Sequence, residues 1–137
     1  MIESVESERE TTGSAGVDLS ADINEDVLIP PHSTVKIPTG ISVELPEGTF
    51  GAIVARSGLA TKQGLRPANC FGVCDEDYRG NYIVALHNDS DETRIITNGQ
   101  RIAQLIIIPY ISANFVECDE LTKTERGDGG FGSTGMI

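Results

Sequence analysis

Residues 34–48 give the clearest indication of the fold class, and they read Thr34-Val35-Lys36-Ile37-Pro38-Thr39-Gly40-Ile41-Ser42-Val43-Glu44-Leu45-Pro46-Glu47-Gly48. Apolar and polar side chains alternate over residues 34–37 and again over 41–45, a pattern typical of strands with one buried face. Pro38-Thr39-Gly40 interrupts the alternation, and Pro46-Glu47-Gly48 predicts a turn. The stretch therefore predicts two short strands separated by a break.

The same pattern extends to both sides of this stretch, where Gly, Pro and Asn-Gly turn signals separate short apolar or alternating segments. Further strands are predicted at residues 50–55, 81–87, 94–96 and 104–109. The last of these is apolar on both faces, so we expect it to be fully buried. One short helix is predicted from Ser57, which can cap it, to Gly64, which can end it. Many short strands with one helix predict an all-β sandwich or barrel.

Length and charge bound the class of protein. A chain of 137 residues with 39% hydrophobic content is expected to form one domain. Its net charge of -11 counts against DNA, RNA or an anionic membrane as the main partner, because those partners need basic patches. No apolar run is long enough to span a membrane, and residues 1–6 lack the apolar region of a secretory signal. We therefore expect a cytoplasmic protein, or one inside a host cell if it is viral.

The three cysteines allow two interpretations. Cys70 and Cys74 could bind zinc if His32, His87 or Cys118 completed the ligand set. The sequence contains no second closely spaced ligand pair, so reduced intracellular thiols are favoured.

The C-terminal segment is rich in glycine and reads Arg126-Gly127-Asp128-Gly129-Gly130-Phe131-Gly132-Ser133-Thr134-Gly135. Because glycine lets backbone N–H groups approach an anion closely, this segment predicts a lid over a phosphorylated, ring-containing ligand. Gly127, Gly129 and Gly132 have the spacing of a dinucleotide-binding loop, but that loop needs a strand before it and a helix starting within it. Ser133 stands where a P-loop requires lysine. Both helix-anchored loops are therefore excluded, and a disordered polar terminus remains the alternative.

Four other segments break the strand pattern, and each has a structural and a functional interpretation. Asp18 could bond a turn backbone or serve a ligand, and Arg56 could be a surface cation or bind an anion at the helix start. The acids at residues 75–77 could be solvated turn residues or supply a general base. Gln104 lies in an apolar strand and needs a hydrogen-bond partner from the protein or from a ligand. The segments are AGVDLSA (15–21), ARSGL (55–59), GVCDEDYRG (72–80) and GQRIAQL (99–105).

Together and in this order, the four segments and the ending RGDGGFGSTG resemble the five motifs of the homotrimeric dUTP pyrophosphatases (dUTPases). The resemblance spans residues 13–137 and implies a jelly-roll-like β-barrel or sandwich that assembles as a homotrimer with three shared active sites. Residues 1–125 would form the domain, and residues 126–137 its glycine-rich lid. The implied activity is the Mg²⁺-dependent hydrolysis of dUTP to dUMP and pyrophosphate, which keeps uracil out of DNA.

The third motif would supply the chemistry and the nucleoside pocket. The resemblance assigns Asp75 as the catalytic carboxylate, which activates a water for in-line attack on the α-phosphorus. Tyr78 matches the ring that packs beneath the deoxyribose and leaves no space for a 2′-hydroxyl. Asn69 and the backbone that follows it, including Gly72 and Val73, match the hairpin that reads the uracil edge. In the family this motif comes from a neighbouring subunit.

The first, second and fourth motifs would come from one subunit and bind the triphosphate. Arg56, Ser57 and Gly58 match the family's phosphate-contacting loop, and Gln104 matches a further phosphate ligand. Asp18 matches a residue that holds the water shell of Mg²⁺, while the triphosphate itself binds the metal.

The glycine-rich ending would come from the last subunit and close the site. Arg126, Ser133 and Thr134 match contacts to the γ-phosphate, and Phe131 matches the ring that covers uracil, with Gly132 beside it. The resemblance therefore implies dUTP and two further copies of the chain as partners, with no direct binding to nucleic acid or membrane.

Three departures from the family and two alternative functions accompany this interpretation. Ala55 stands where proline or glycine is usual, Cys74 replaces an aliphatic residue, and residues 1–13 do not clearly resemble the family's opening strand. One alternative is a dCTP deaminase of the same superfamily, which is not expected to carry the RGDGGFGSTG ending. The other is a nucleotide-sensing partner of a regulatory protein, built on the same fold.

Overall fold

The structure is a computed structural model that describes residues 10–135. The first nine residues of the predicted domain and the last two of the predicted lid lie outside this range, as does most of the segment in which an opening strand was sought. Within the described range the elements are β1 (Val17–Ser20), β2 (Val27–Ile29), β3 (Thr34–Pro38), β4 (Thr49–Val54), α1 (Ser57–Gln63), β5 (Leu65–Pro67), β6 (Phe71–Cys74), β7 (Ile83–Asn88), β8 (Arg94–Ile96) and β9 (Arg101–Pro109).

The strands form three antiparallel sheets around one apolar core. The largest sheet has the order β1-β9-β4-β6, a second has β3-β7-β5, and β2 pairs with β8. Each sheet contributes fully buried side chains to the same cluster, including Leu19, Ile29, Ile37, Leu86 and Ile102. Because the aromatic content is only 5%, aliphatic side chains fill most of this core. The predicted all-β, jelly-roll-like fold with one short helix is confirmed.

The helix is confirmed, but its first residue is not capped as predicted. Arg56 occupies the N-cap position with extended backbone angles and makes no side-chain capping bond, so Ser57 is the first helical residue. Gly64 ends the helix as predicted, with φ 69°, and its N–H donates to the carbonyl of Ala60. That left-handed conformation favours glycine over any residue with a Cβ atom. Among residues 10–135 no helix is long and apolar enough to cross a membrane.

Two strand predictions need correction. Residues 41–45 alternate in burial, with Leu45 buried, yet they form no strand. Alternation reports which side chains face the core, whereas a strand also needs a neighbouring backbone, and here the carbonyl of Ile41 accepts a bond from Tyr82 outside any ladder. The prediction that residues 104–109 are fully buried is also wrong, because Ile107 is 46% exposed. The pairing of β1 with β9 reaches only Leu105, so the second half of β9 pairs with β4 alone.

Candidate active site

The first, second and fourth motifs meet at one edge of the large sheet. Asp18 on β1 lies opposite Gln104 on β9, and Arg56 stands just before α1. The Nε atom of Arg56 donates to Oδ1 of Asp18 at 2.9 Å. A second cation, Arg101, places its Nη1 atom 3.4 Å from Oδ2 of the same carboxylate. The side chain of Asp18 is only 14% exposed, so the two arginines compensate a charge that is largely removed from water.

Gln104 obtains the partner that its apolar strand required. Its Nε2 atom donates to the carbonyl of Ala55 at 2.9 Å. A Cβ atom at Gly16 would overlap the Gln104 amide, so the glycine of the first motif makes room for the glutamine of the fourth. The Gln104 side chain thus has a structural partner and also lines the cavity described next.

These residues line a cavity of about 450 Å³, with Asp18, Arg56, Ser57, Gly58 and Gln104 on its walls. Ser57 and Gly58 are exposed at the start of α1, so the Ser57 hydroxyl and the backbone at Gly58 are both accessible to a ligand. The guanidinium of Arg56, the hydroxyls of Ser14 and Ser57 and the amide of Gln104 can bind an anion of several oxygens, beside the carboxylates of Glu10 and Asp18. The sequence placed these residues together only through their resemblance to a family, because their separation along the chain gives no such signal.

The third motif forms a separate site on the β6–β7 connection. Asp75 follows β6 directly, and its carbonyl accepts a bond from the N–H of Tyr78 at 3.1 Å. This turn brings the two side chains to the same cavity of about 230 Å³, which Val73 and Asn81 also line. Asp75 is exposed, so its carboxylate is open to water and to a ligand.

β6 is the last strand of its sheet, and this position matters for base recognition. One side of its backbone pairs with β4, where Gly72 faces Ile53 and Val73 faces Ala52. The other side has no strand partner within the described range, so it presents N–H and C=O groups in a regular row. The amide nitrogen of Asn69 would lie 3.3 Å from a Cβ atom at Gly72, so the Asn69 side chain covers this glycine closely.

Tyr82 is a member of this second site that the sequence did not indicate. It is 1% exposed, and its ring stacks on that of Tyr78. Burial, with the neighbouring thiol of Cys74 as the next cause, raises the pKa of Tyr82 to about 12. Burial also raises the pKa of Cys74. The hydroxyl of Tyr82 is the one buried side-chain polar atom of residues 10–135 without a well-formed hydrogen bond.

The two sites lie at opposite edges of the sheet β1-β9-β4-β6. The register runs from Asp18 to Gln104, then to Val54, then to Phe71 at the start of β6. Three interstrand steps of the usual spacing separate the edges by about 14 Å. Asp75 lies four residues after Phe71, just beyond the end of β6, so within one chain its carboxylate is remote from the Asp18 cavity.

The glycine-rich segment contacts neither cavity. Its hydrogen bonds are local: Nε of Arg126 donates to the carbonyl of Gly129, the N–H of Ser133 donates to the carbonyl of Gly130, and the N–H of Gly127 donates to Oγ1 of Thr124 just before the segment. Phe131 is fully exposed and has a left-handed φ of 49°. On the single chain, the predicted lid residues therefore lie apart from the residues they were expected to cover.

No group of three or more His, Cys, Asp or Glu side chains within residues 10–135 is arranged to bind a metal ion. Cys70, Cys74 and Cys118 are free thiols. The family resemblance assigned Asp18 to the water shell of Mg²⁺. In the structure its carboxylate is already paired with Arg56 and Arg101. This donor set does not fit a directly bound metal, but it leaves Asp18 able to accept hydrogen bonds from metal-bound water.

A sequence model of the family described as dUTPase matches residues 4–135. The chain belongs to the dUTPase family. Members of that family include a deoxyuridine 5'-triphosphate nucleotidohydrolase from Desulfitobacterium hafniense (strain DSM 10664 / DCB-2), which is 50% identical over 127 residues that cover 92% of this chain and 84% of that protein. Another, from Hydrogenobaculum sp. (strain Y04AAS1), is 48% identical and covers 92% and 87%.

Solved dUTPase structures have the same fold. The dUTPase of Staphylococcus bacteriophage 80alpha, determined with dUpNHpp, superimposes with a TM-score of 0.80 at 29% identity and covers 94% of this chain and 90% of that one. The dUTPase from phage phi11 of S. aureus gives a TM-score of 0.75 at 26% identity, covering 85% and 90%. The similarity to dUTPases is therefore not limited to the five motifs but extends over nearly the whole chain.

Proposed function

We propose that this dUTPase-family chain hydrolyses dUTP to dUMP and pyrophosphate, with Asp75 as the general base. The observation that carries the proposal is the shared cavity of an open carboxylate, Asp75, and an aromatic ring, Tyr78. The relatives named above are deoxyuridine 5'-triphosphate nucleotidohydrolases, and one related dUTPase structure contains dUpNHpp. These names do not favour the dCTP deaminase alternative.

In the proposed reaction the Asp75 carboxylate accepts a proton from a water molecule. The water oxygen attacks the α-phosphorus in line with the bond to the leaving group, and that P–O bond breaks to release pyrophosphate. A carboxylate that is exposed in the free protein can bind this water, and closure of the site over the nucleotide would then exclude bulk solvent. Positioning and electrostatic stabilisation contribute most of the rate enhancement in phosphoryl-type transfers.

The nucleoside would lie between the β6 backbone and Tyr78. The turn at Asn69 and the free edge of β6, with Gly72 and Val73, can offer main-chain donors and acceptors to the uracil edge. Such a pattern rejects cytosine because its donors and acceptors are exchanged, and a close wall rejects the methyl group of thymine. The Tyr78 ring would pack beneath the deoxyribose, where a 2′-hydroxyl would collide with it.

The triphosphate would occupy the cavity at the opposite edge of the sheet. Arg56, Ser57, Gly58 and Gln104 provide positive charge and hydrogen-bond donors there. When Mg²⁺ is bound, it neutralises part of the triphosphate charge. We assign Asp18 an indirect role, in which it accepts hydrogen bonds from water of the metal shell while the phosphate oxygens bind the ion.

We further propose that the active unit is a homotrimer with shared sites. The Asp75 site and the phosphate cavity lie at opposite edges of one sheet, and the glycine-rich segment contacts neither. Because these three groups lie apart within a single chain, we infer that they meet one nucleotide by coming from different copies of the chain. Arg126, Phe131, Gly132, Ser133 and Thr134 would then close over a nucleotide that is bound between two other subunits.

The deciding assay measures pyrophosphate release from dUTP, dCTP, dTTP and UTP, with Mg²⁺ and with a chelator. The proposal predicts release from dUTP alone at an appreciable rate, dependence on the divalent metal, and loss of turnover in Asp75→Asn. The matched control is Asp77→Asn, which removes a neighbouring acid that has no assigned role. Ammonia release from dCTP, or equal losses in the two variants, would refute the proposal.

A further inference from the structure

The exposed ring of Tyr78 is supported from behind by a buried ring. The centroids of Tyr78 and Tyr82 are 6.2 Å apart, and the ring planes differ by only 20°. Tyr78 is 45% exposed, whereas Tyr82 is 1% exposed. One face of the Tyr78 ring is therefore available to a ligand, and the other rests on a residue of the protein core.

Two further contacts fix the position of Tyr78. Its hydroxyl donates to the carbonyl of Asn81 at 3.1 Å. A Cβ atom at Gly80 would lie 2.6 Å from Cζ of Tyr78, so the ring folds back against a backbone position that only glycine leaves open. The ring is thus bounded by Tyr82 on its face, by Asn81 at its hydroxyl and by Gly80 along its edge.

Tyr82 is itself anchored by its backbone. Its N–H donates to the carbonyl of Ile41 at 2.7 Å, and its carbonyl accepts from the hydroxyl of Thr39 at 2.7 Å and from the Thr39 N–H at 3.1 Å. At the other end, a Cβ atom at Gly51 would lie 3.3 Å from the Tyr82 hydroxyl, so β4 closes the space around the ring. The Tyr82 ring therefore cannot change its position without disturbing the packing of the core.

We propose that Tyr82 is a positioning residue that sets the sugar specificity of the reaction, because its buried ring holds the plane of Tyr78 against the sugar of the bound nucleotide. The inference rests on the proposed function, in which the Tyr78 ring occupies the space that a 2′-hydroxyl would need. The Tyr78 ring can exclude a 2′-hydroxyl only if the ring itself cannot move away. A Tyr78 ring with no support behind it would retreat and admit the ribose.

The test compares kcat/KM for dUTP with kcat/KM for UTP in Tyr82→Leu and Tyr82→Phe. Tyr82→Leu removes the stacked ring, and the dUTP-to-UTP ratio should fall about three- to tenfold, the range that corresponds to one aromatic pair. Tyr82→Phe keeps the ring and should keep the ratio. A general loss of folding would change kcat for both substrates together, whereas a loss of positioning changes their ratio.

Two variants keep the test decisive. Leu86→Ala creates a cavity in the core at a fully buried position of β7, away from Tyr78, and should leave the ratio unchanged. Gly80→Ala displaces the Tyr78 ring from the loop side without a core cavity, so it should lower the ratio even if Tyr82→Leu does not fold. An unchanged ratio in a folded Tyr82→Leu overturns the proposal, as does an unchanged ratio in Gly80→Ala or an equal fall in Leu86→Ala.

Tyr78→Ala separates the inference from the function on which it rests. If Tyr78→Ala lowers the ratio but Tyr82→Leu does not, the support role of Tyr82 is wrong and the sugar-binding role of Tyr78 stands. If Tyr78→Ala leaves the ratio unchanged while dUTP is still hydrolysed, the sugar-binding role of Tyr78 is wrong and the inference fails with it.

Discussion

Replacing Tyr82 with phenylalanine should stabilise the protein, and more strongly in alkali than at neutral pH. The Tyr82 hydroxyl is buried without a well-formed hydrogen bond. Removing such a group while keeping the ring should raise the free energy of unfolding by about 1 kcal/mol at neutral pH. Because the change conserves the stacked ring, it should leave no large cavity.

The alkaline part of the prediction follows from the pKa of Tyr82, which is raised from 10.0 to about 12. Above pH 10 the unfolded chain loses the phenolic proton, while the folded chain keeps it until about pH 12. The contribution of Tyr82 to stability is therefore complete below pH 10 and is lost as the pH rises through this interval. The full loss is roughly 2–3 kcal/mol, and about half of it is lost by pH 11.

Urea unfolding, followed by circular dichroism at neutral pH and at about pH 11, measures both terms. Protein concentration must be equal in all samples, since assembly would make unfolding concentration-dependent. Tyr110→Phe is the matched control, because Glu76 raises the pKa of Tyr110 but its ring is exposed. If wild type and Tyr82→Phe lose equal stability between the two pH values, the assignment of the raised pKa to the buried hydroxyl is refuted.

Three further perturbations test the proposed site. Asp75→Asn should retain nucleotide binding but lower kcat by about two to four powers of ten, the usual cost of losing a general base, and near-normal turnover in a steady-state assay would contradict its assignment. Phe131→Ala should weaken binding of a dUTP analogue by about 1–3 kcal/mol, the scale of stacking on a base, whereas unchanged affinity in calorimetry would remove the lid role. A chain that ends at Glu125 should remain a folded trimer by light scattering yet lose activity, and full activity would mean that the tail takes no part.

Local patterns of the sequence predicted the fold class and five of the nine strands among residues 10–135, but did not locate β1, β2, β5 or β6. Alternation and Pro/Gly turns located β3, β4 and β7, and Gly64 located the end of α1. The segment 41–45 shows the limit of this reasoning, because its alternation recorded burial but could not supply a pairing partner. Ile107 shows a related limit. Its apolar neighbours predicted burial, but β1 pairs with β9 only as far as Leu105, and Ile107 is exposed.

The candidate site was predicted only in part, for a similar reason. Resemblance to five motifs named Asp18, Gln104 and Asp75, but nothing in their spacing shows that the first two face each other and that the third lies beyond the far side of the sheet. The stacking of Tyr82 on Tyr78 was not predicted either, because alternation marks a residue as buried without showing which side chain it contacts.

The placement of the two sites at opposite edges of one sheet has a consequence for the activity of mixed oligomers that contain two different variants. If each site is completed by its neighbours, a chain damaged at Asp75 and a chain damaged at Arg56 can rescue each other in a mixed ring, since some interfaces then join two intact halves. In such a ring, one inactive chain would also disable sites that its intact neighbours share. Turnover would depend on dilution as well, because separated subunits would carry every required side chain without forming a complete site.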